Sequence, residues 1–167
     1  VLYLNDAAGT ADDVNVWGNS SVTINSTVFS LGDYNGSNGN NDNIIAYVFT
    51  EKVGYSKFGI YRGNGNTNGP YNYTGFRPEF VIIKRVDTAN DWNMQDTKRT
   101  PNGVDRILQA NNSNSENEGG GYLVDKLSTG FKCRASGTET NADGGTYAYL
   151  AFGQSIVGSN NIPGTAR

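Results

Sequence analysis

The chain lacks histidine entirely and has one cysteine, Cys133, among its 167 residues. Without histidine there is no Ser-His-Asp or Cys-His catalysis and no histidine-ligated zinc. One cysteine excludes an internal disulfide and a cysteine-rich zinc site. Charge is also scarce: 17% of residues are charged, against roughly 25% in a typical soluble domain, and the net charge is −3. No Lys/Arg run is present to neutralise phosphates, so nucleic acid is not an expected partner. No apolar run approaches the ~20 residues of a membrane span, and no signal-peptide pattern opens the chain. Val1 rather than Met comes first, as in a processed protein or a fragment.

Glycine (22 residues) and asparagine are abundant instead. Both tolerate the left-handed backbone of tight turns, and so many glycines disfavour long helices. The composition therefore points to short strands joined by turns. Strand patterns fall at 21–31, 44–51, 57–62, 79–86, 91–96, 104–109, 130–134 and 146–153. The last alternates most plainly, with Ala148, Leu150 and Phe152 on one face and Tyr147, Tyr149 and Ala151 on the other. Both faces are apolar, as in a strand covered on both sides. Phe80-Val81-Ile82-Ile83 reads as a central strand. Residues 35–43, 63–69, 111–121 and 136–145 read as Asn/Gly-rich loops. Gly63-Asn64-Gly65 and Gly119-Gly120-Gly121 are turns rather than phosphate cradles, since no helix and no Lys-Ser/Thr follows either.

The chain also partly repeats itself. Ser26-Thr27-Val28-Phe29-Ser30-Leu31 returns as Ser128-Thr129-Gly130-Phe131-Lys132-Cys133, and Ile45-Ala46-Tyr47-Val48 returns as Tyr147-Ala148-Tyr149-Leu150, both at an offset of 102 residues. Cys133 thus stands where the first copy has Leu31, which suits a small buried hydrophobe. The repeat divides the chain into a partial unit at 1–51, a complete unit at 52–155 and a C-terminal arm or linker at 156–167. The partial unit corresponds only to the second half of the complete one. Three resolutions stay open: excision from a longer array, strands lent by a neighbouring subunit, or all strands merging into one larger sandwich. The last is the expected fold, because half a unit has too few strands to stand alone.

Gly54-Tyr55-Ser56-Lys57-Phe58-Gly59-Ile60-Tyr61-Arg62-Gly63-Asn64-Gly65, then Gly69-Pro70-Tyr71-Asn72-Tyr73-Thr74-Gly75-Phe76-Arg77-Pro78-Glu79-Phe80-Val81-Ile82-Ile83-Lys84-Arg85, form long specific motifs. With Asp96-Thr97-Lys98-Arg99 and the closing motifs at 130–134 and 144–152, they resemble a domain of uncharacterised function in tailed-bacteriophage virion proteins, tail fibres included. Tyr71 stands where that family usually has Phe, and Cys133 where it tends to have Leu. The resemblance implies a virion setting and a lectin-like neighbourhood of folds, so the expected architecture is an all-β antiparallel sandwich of jelly-roll or concanavalin-like type. It identifies no ligand.

Candidate sites are few. Trp92, Tyr71 and Tyr73 adjoin polar loops and could stack on sugar rings; they could equally pack in the sandwich or between subunits. Asp87, Asn90 and Asp91 offer oxygen ligands of the kind calcium takes, although such residues also fill turns. Glu79, Asp87, Asp91 and Asp96 are the carboxylates from which a glycosidase pair would be drawn. Arg77, Lys84, Arg85, Lys98 and Arg99 give a basic centre against acidic Glu116 and Glu118, suited to subunit contacts or to a solvated face. The expectation is a non-enzymatic virion subunit, a fibre or surface decoration, with partners in its own copies and other virion proteins. The alternative is a module that recognises a host surface glycan.

Overall fold

A computed structural model describes residues 1–11, 16, 23–32 and 34–154. The chain divides into two compact units, one of Val1 and Thr10–Phe49, the other of Leu2–Gly9 and Thr50–Arg167. Among the described residues the second carries all the strands: β1 (Ser56–Arg62), β2 (Tyr71–Tyr73), β3 (Phe80–Arg85), β4 (Trp92–Asp96), β5 (Arg106–Gln109), β6 (Asn117–Glu118), β7 (Val124–Leu127), β8 (Gly130–Cys133) and β9 (Thr146–Phe152). They form a six-stranded sheet in the order β1-β9-β3-β4-β5-β6 and a three-stranded sheet in the order β2-β8-β7. Every pairing is antiparallel. Packed on one another, the two sheets make an all-β sandwich.

Side-chain alternation sets the layers. Tyr147, Tyr149 and Ala151 of β9 face inward with Tyr61, Val81 and Ile83, and meet Val124, Phe131 and Cys133 of the small sheet. The aromatic rings interlock: Tyr61 stacks on Tyr147 at 5.0 Å, and Phe131 meets Tyr149 edge-on at 5.0 Å. Gly59, opposite Tyr149 in the register, leaves room for that ring; a Cβ there would lie 2.8 Å from it.

The inner face under β4 is different. Asn93 and Gln95 point inward and are buried, and so does Lys126 from β7. The apolar, aromatic part of the core thus gives way under β4 to buried amides and an ammonium.

The outer face of the large sheet is apolar across five strands. Phe58, Leu150, Ile82, Met94 and Leu108 stand side by side in register. At one end of this face lies the segment Leu2–Gly9. The Trp92 indole N–H donates to the Tyr3 carbonyl at 2.9 Å, and the Lys84 ammonium donates to the Ala7 carbonyl at 3.1 Å. The N-terminal residues thus meet the outer face at β3 and β4.

The repeat is not reproduced in space. Gly130–Cys133 and Thr146–Phe152 are interior strands β8 and β9, whereas 23–32 holds only an isolated bridge between Ile24 and Phe29, and 44–50 forms no strand. The physical reason is pairing. β9 lies between β1 and β3, and no earlier residues in the chain correspond to those two strands. The expected merger of both copies into one larger sandwich is corrected accordingly: the described residues of Thr10–Phe49 contribute no strand to either sheet. The loop expected at 35–43 contains one helical turn, Asn35–Asn38. The arm expected at 156–167, like residues 21 and 22 of the first expected strand, lies outside the described residues.

Candidate functional site

The three proposed sugar-stacking aromatics do not come together. Trp92 lies in β4 of the large sheet, 9% exposed, its N–H engaged by Tyr3. It anchors the N-terminal segment and presents no ring to a ligand, which corrects its assignment. Tyr71 and Tyr73 belong to β2 of the small sheet, where the alternation buries Asn72 between them and turns both rings outward, 45% and 66% exposed. β2 is short because Gly69-Pro70 leads in and Gly75, at φ +82°, turns the chain out.

The register builds a platform around these rings. Tyr71 faces Lys132, which faces Asp125; Tyr73 faces Gly130, which faces Leu127. Gly130 has no side chain because the Asn72 carbonyl and the Tyr71 ring approach it closely. The Tyr71 hydroxyl shares a hydrogen bond with Thr129 Oγ1 at 2.7 Å, and Arg134 Nε pairs with Asp125 at 3.0 Å. Two phenol rings flanked by an amine, a carboxylate and a guanidinium can stack on an apolar sugar face and bond its hydroxyls. Lys132, Asp125 and Arg134 were not legible as part of this surface, because Val124-Asp125-Lys126-Leu127 gives no clean strand pattern.

The calcium candidates are held apart. Arg85 grips the Asp87 carboxylate through Nε at 2.8 Å and Nη2 at 3.3 Å, and that guanidinium holds the Asp87 carboxyl below its ordinary range. Asp91 accepts from Gln109 Nε2 at 2.8 Å and from Asn111 Nδ2 at 2.6 Å. Asn90 Oδ1 accepts the Asp91 backbone N–H at 2.8 Å. A guanidinium and two amide donors thus occupy the carboxylate oxygens that a cation would need. Asn90 and Asp91 adjoin the start of β4, whereas Asp87 is paired with Arg85 at the end of β3.

The remaining carboxylates are likewise dispersed. Glu79 accepts from the Thr97 hydroxyl. Asp96 caps its own turn through the N–H groups of Lys98 and Arg99. Burial acts to raise the Asp96 carboxyl, but these N–H groups and the Arg99 guanidinium outweigh it and hold it below the ordinary value. The basic centre and acidic flank meet within the chain: Arg99 pairs with Glu116 at 3.1 Å and Arg106 with Glu118 at 2.9 Å. Arg77 and Lys98 are exposed.

Lys126 is the feature that sequence reading missed. It is 1% exposed and reaches between the sheets to Gln95 Oε1 at 3.0 Å, the Thr100 carbonyl at 3.0 Å and Thr100 Oγ1 at 3.1 Å. All three acceptors are neutral. Burial lowers its affinity for the proton to about 8, with Asp96 and Asp125 acting in the opposite sense. Asn102 closes the edge beside it, accepting the Lys126 N–H at 2.7 Å and donating to the Lys126 carbonyl at 3.0 Å. The ammonium ties β4, the 96–103 turn and β7 into one block.

Loops at the opposite end of β1 are tied by another buried polar side chain, Asn141. The two N–H groups of its amide are shared among Asn64 Oδ1, Asn66 O and Ala135 O at 3.1, 2.8 and 2.8 Å, and its oxygen accepts the Asn64 N–H at 2.9 Å.

Comparison with known proteins places the sequence in a family. The family model described as a domain of unknown function, DUF7483, matches residues 1–155, and the chain belongs to that family. No curated protein and no solved structure matches the chain.

Proposed function

We propose that this chain, a member of the DUF7483 family, is a non-enzymatic structural subunit of a bacteriophage virion. It serves as a fibre or surface decoration, through contacts with its own copies and with other virion proteins. The virion setting rests on the sequence resemblance. The observation that carries the structural role is where the resembling motifs fall. Phe76, Val81, Ile83, Phe131, Tyr147, Tyr149 and Ala151, all within those motifs, are members of one buried core. The longest motifs therefore fall on the scaffold. Electron microscopy of the purified chain tests the reading: ordered multimers without added glycan support it, and a chain that stays monomeric at high concentration overturns it.

A second reading is favoured by the platform of Tyr71 and Tyr73. Two outward rings with charged neighbours suit recognition of a host surface glycan. Under this reading Tyr73→Ala abolishes binding on a glycan array while circular dichroism is unchanged. A wild-type chain that binds no glycan on the array removes it.

A further inference from the structure

The first unit leaves a strand-like segment without a strand partner. Ile44-Ile45-Ala46-Tyr47-Val48 has no charged residue, and all five residues are exposed, Tyr47 to 81%. Both faces of the segment are apolar: Ile44, Ala46 and Val48 on one, Ile45 and Tyr47 on the other. In the repeat, its residues 45–48 align with 147–150 of β9, a strand paired on both sides. By sequence this is a sheet-interior strand, yet it stands in water.

The large sheet has an open edge of matching character at β1. Gly59, Tyr61 and Gly63 face β9, so the N–H and C=O groups of Ile60 and Arg62 point away from the sheet. Ile60 is 72% exposed. A hairpin with the preceding residues is begun there and stopped. Lys52 and Ser56 form one rung, but Glu51 then caps the next edge group, its carboxylate accepting the Phe58 N–H at 3.2 Å while Lys57 holds it at 2.7 Å. The Phe58 edge group is thus already taken, whereas among the described residues no backbone group pairs with the outward N–H and C=O of Ile60 and Arg62.

We propose that Ile44–Val48 of one copy adds as an edge strand to β1 of a second copy, across Ile60 and Arg62, so that copies assemble by strand exchange. The occupant is a second copy because the segment resembles this sheet's own β9, Ile45-Ala46-Tyr47-Val48 against Tyr147-Ala148-Tyr149-Leu150. Its alternation continues both sides of β1: one face extends the outer apolar surface at Ile60, the other the aromatic layer at Tyr61. Exchange also removes an exposed apolar strand and an unpaired sheet edge together. This proposal rests on the reading of the chain as a self-assembling subunit and names the contact that would do it.

Mixed-cysteine crosslinking of the full chain tests it, since Cys133 is buried and does not interfere. Val48→Cys protein and Ile60→Cys protein are mixed and oxidised; a covalent heterodimer exceeding either homodimer at least tenfold is the expected result. Tyr47→Pro, at an exposed position, is expected to convert multimers to monomers in light scattering with an unchanged circular dichroism spectrum. Multimers that persist in Tyr47→Pro, with no mixed crosslink, overturn strand exchange while leaving the structural-subunit reading intact. A disulfide that forms only within a Val48→Cys, Ile60→Cys double variant also overturns it, in favour of an intrachain hairpin. A wild-type chain that never associates removes both readings.

Discussion

Lys126 and Cys133 illustrate how single buried groups set the pH response. Lys126 holds its proton with a value of about 8 in the fold, against 10.5 for an ordinary lysine. Between those values the unfolded chain binds more protons, so unfolding free energy rises with pH across that window, by at most about 3 kcal/mol at 1.36 kcal/mol per unit. Lys84, also lowered by burial, adds in the same direction. Cys133 acts in reverse: burial raises its thiol to about 11 from 9.0, so the folded chain binds more protons between those values and stability falls there. Urea unfolding from pH 7.5 to 10 is expected to show stability rising from pH 8 and flattening above 9. In Cys133→Ala the rise continues beyond pH 9; in Lys126→Met it shrinks to the Lys84 contribution. A wild-type profile that falls between pH 8 and 9 contradicts this assignment.

The loops that cap the sandwich depend on Asn141. Asn141→Ala leaves the Asn64 N–H without its acceptor and removes the two N–H donors shared among Asn64, Asn66 and Ala135, at an expected cost of about 2–3 kcal/mol. Hydrogen exchange separates this from a general loosening: the Asn64 amide exchanges faster, whereas the Gly65 amide, bonded to the Asn141 backbone carbonyl at 3.0 Å, is protected as before. Tyr73→Ala, at an exposed strand position, changes stability by less than about 0.5 kcal/mol in the same urea assay. The strands with the plainest patterns were legible in sequence. β9 alternates cleanly, β3 is a continuous apolar run, and β1 and β8 lie within the long motifs. β2 and β7 were not, because their inward positions are Asn72, Val124 and Lys126, and only one of these is apolar. Periodicity reports burial only where burial is hydrophobic. The same rule accounts for residues 44–51: their apolar character reads as a strand, but a strand needs a neighbour, and sequence spacing does not say whether one is available. Of the candidate site, sequence named Tyr71, Tyr73 and Trp92 together as aromatics beside polar loops, and only the sheet assignment separates the outward pair from the buried Trp92.

At the scale of the strand-bearing unit, the N-terminal segment is structural. Removing residues 1–9 strips the Trp92 indole of its carbonyl acceptor and leaves the Lys84 ammonium with the Arg85 carbonyl but without that of Ala7. The expected loss is on the order of 2–4 kcal/mol in urea unfolding, and near-wild-type stability of the truncated chain would contradict that role. The amide-and-ammonium part of the core has a calorimetric consequence. Hydration of newly exposed hydrocarbon raises the heat capacity of an unfolded chain, whereas hydration of amides lowers it. Unfolding here releases Asn93, Gln95, Thr100, Lys126 and Asn141 to water alongside the aromatics. The increment per residue is therefore expected below the usual ~12–15 cal/mol/K, and differential scanning calorimetry reads it directly. A smaller increment flattens the curve of stability against temperature, so the fold keeps most of its margin over a wide thermal range in place of a sharp optimum.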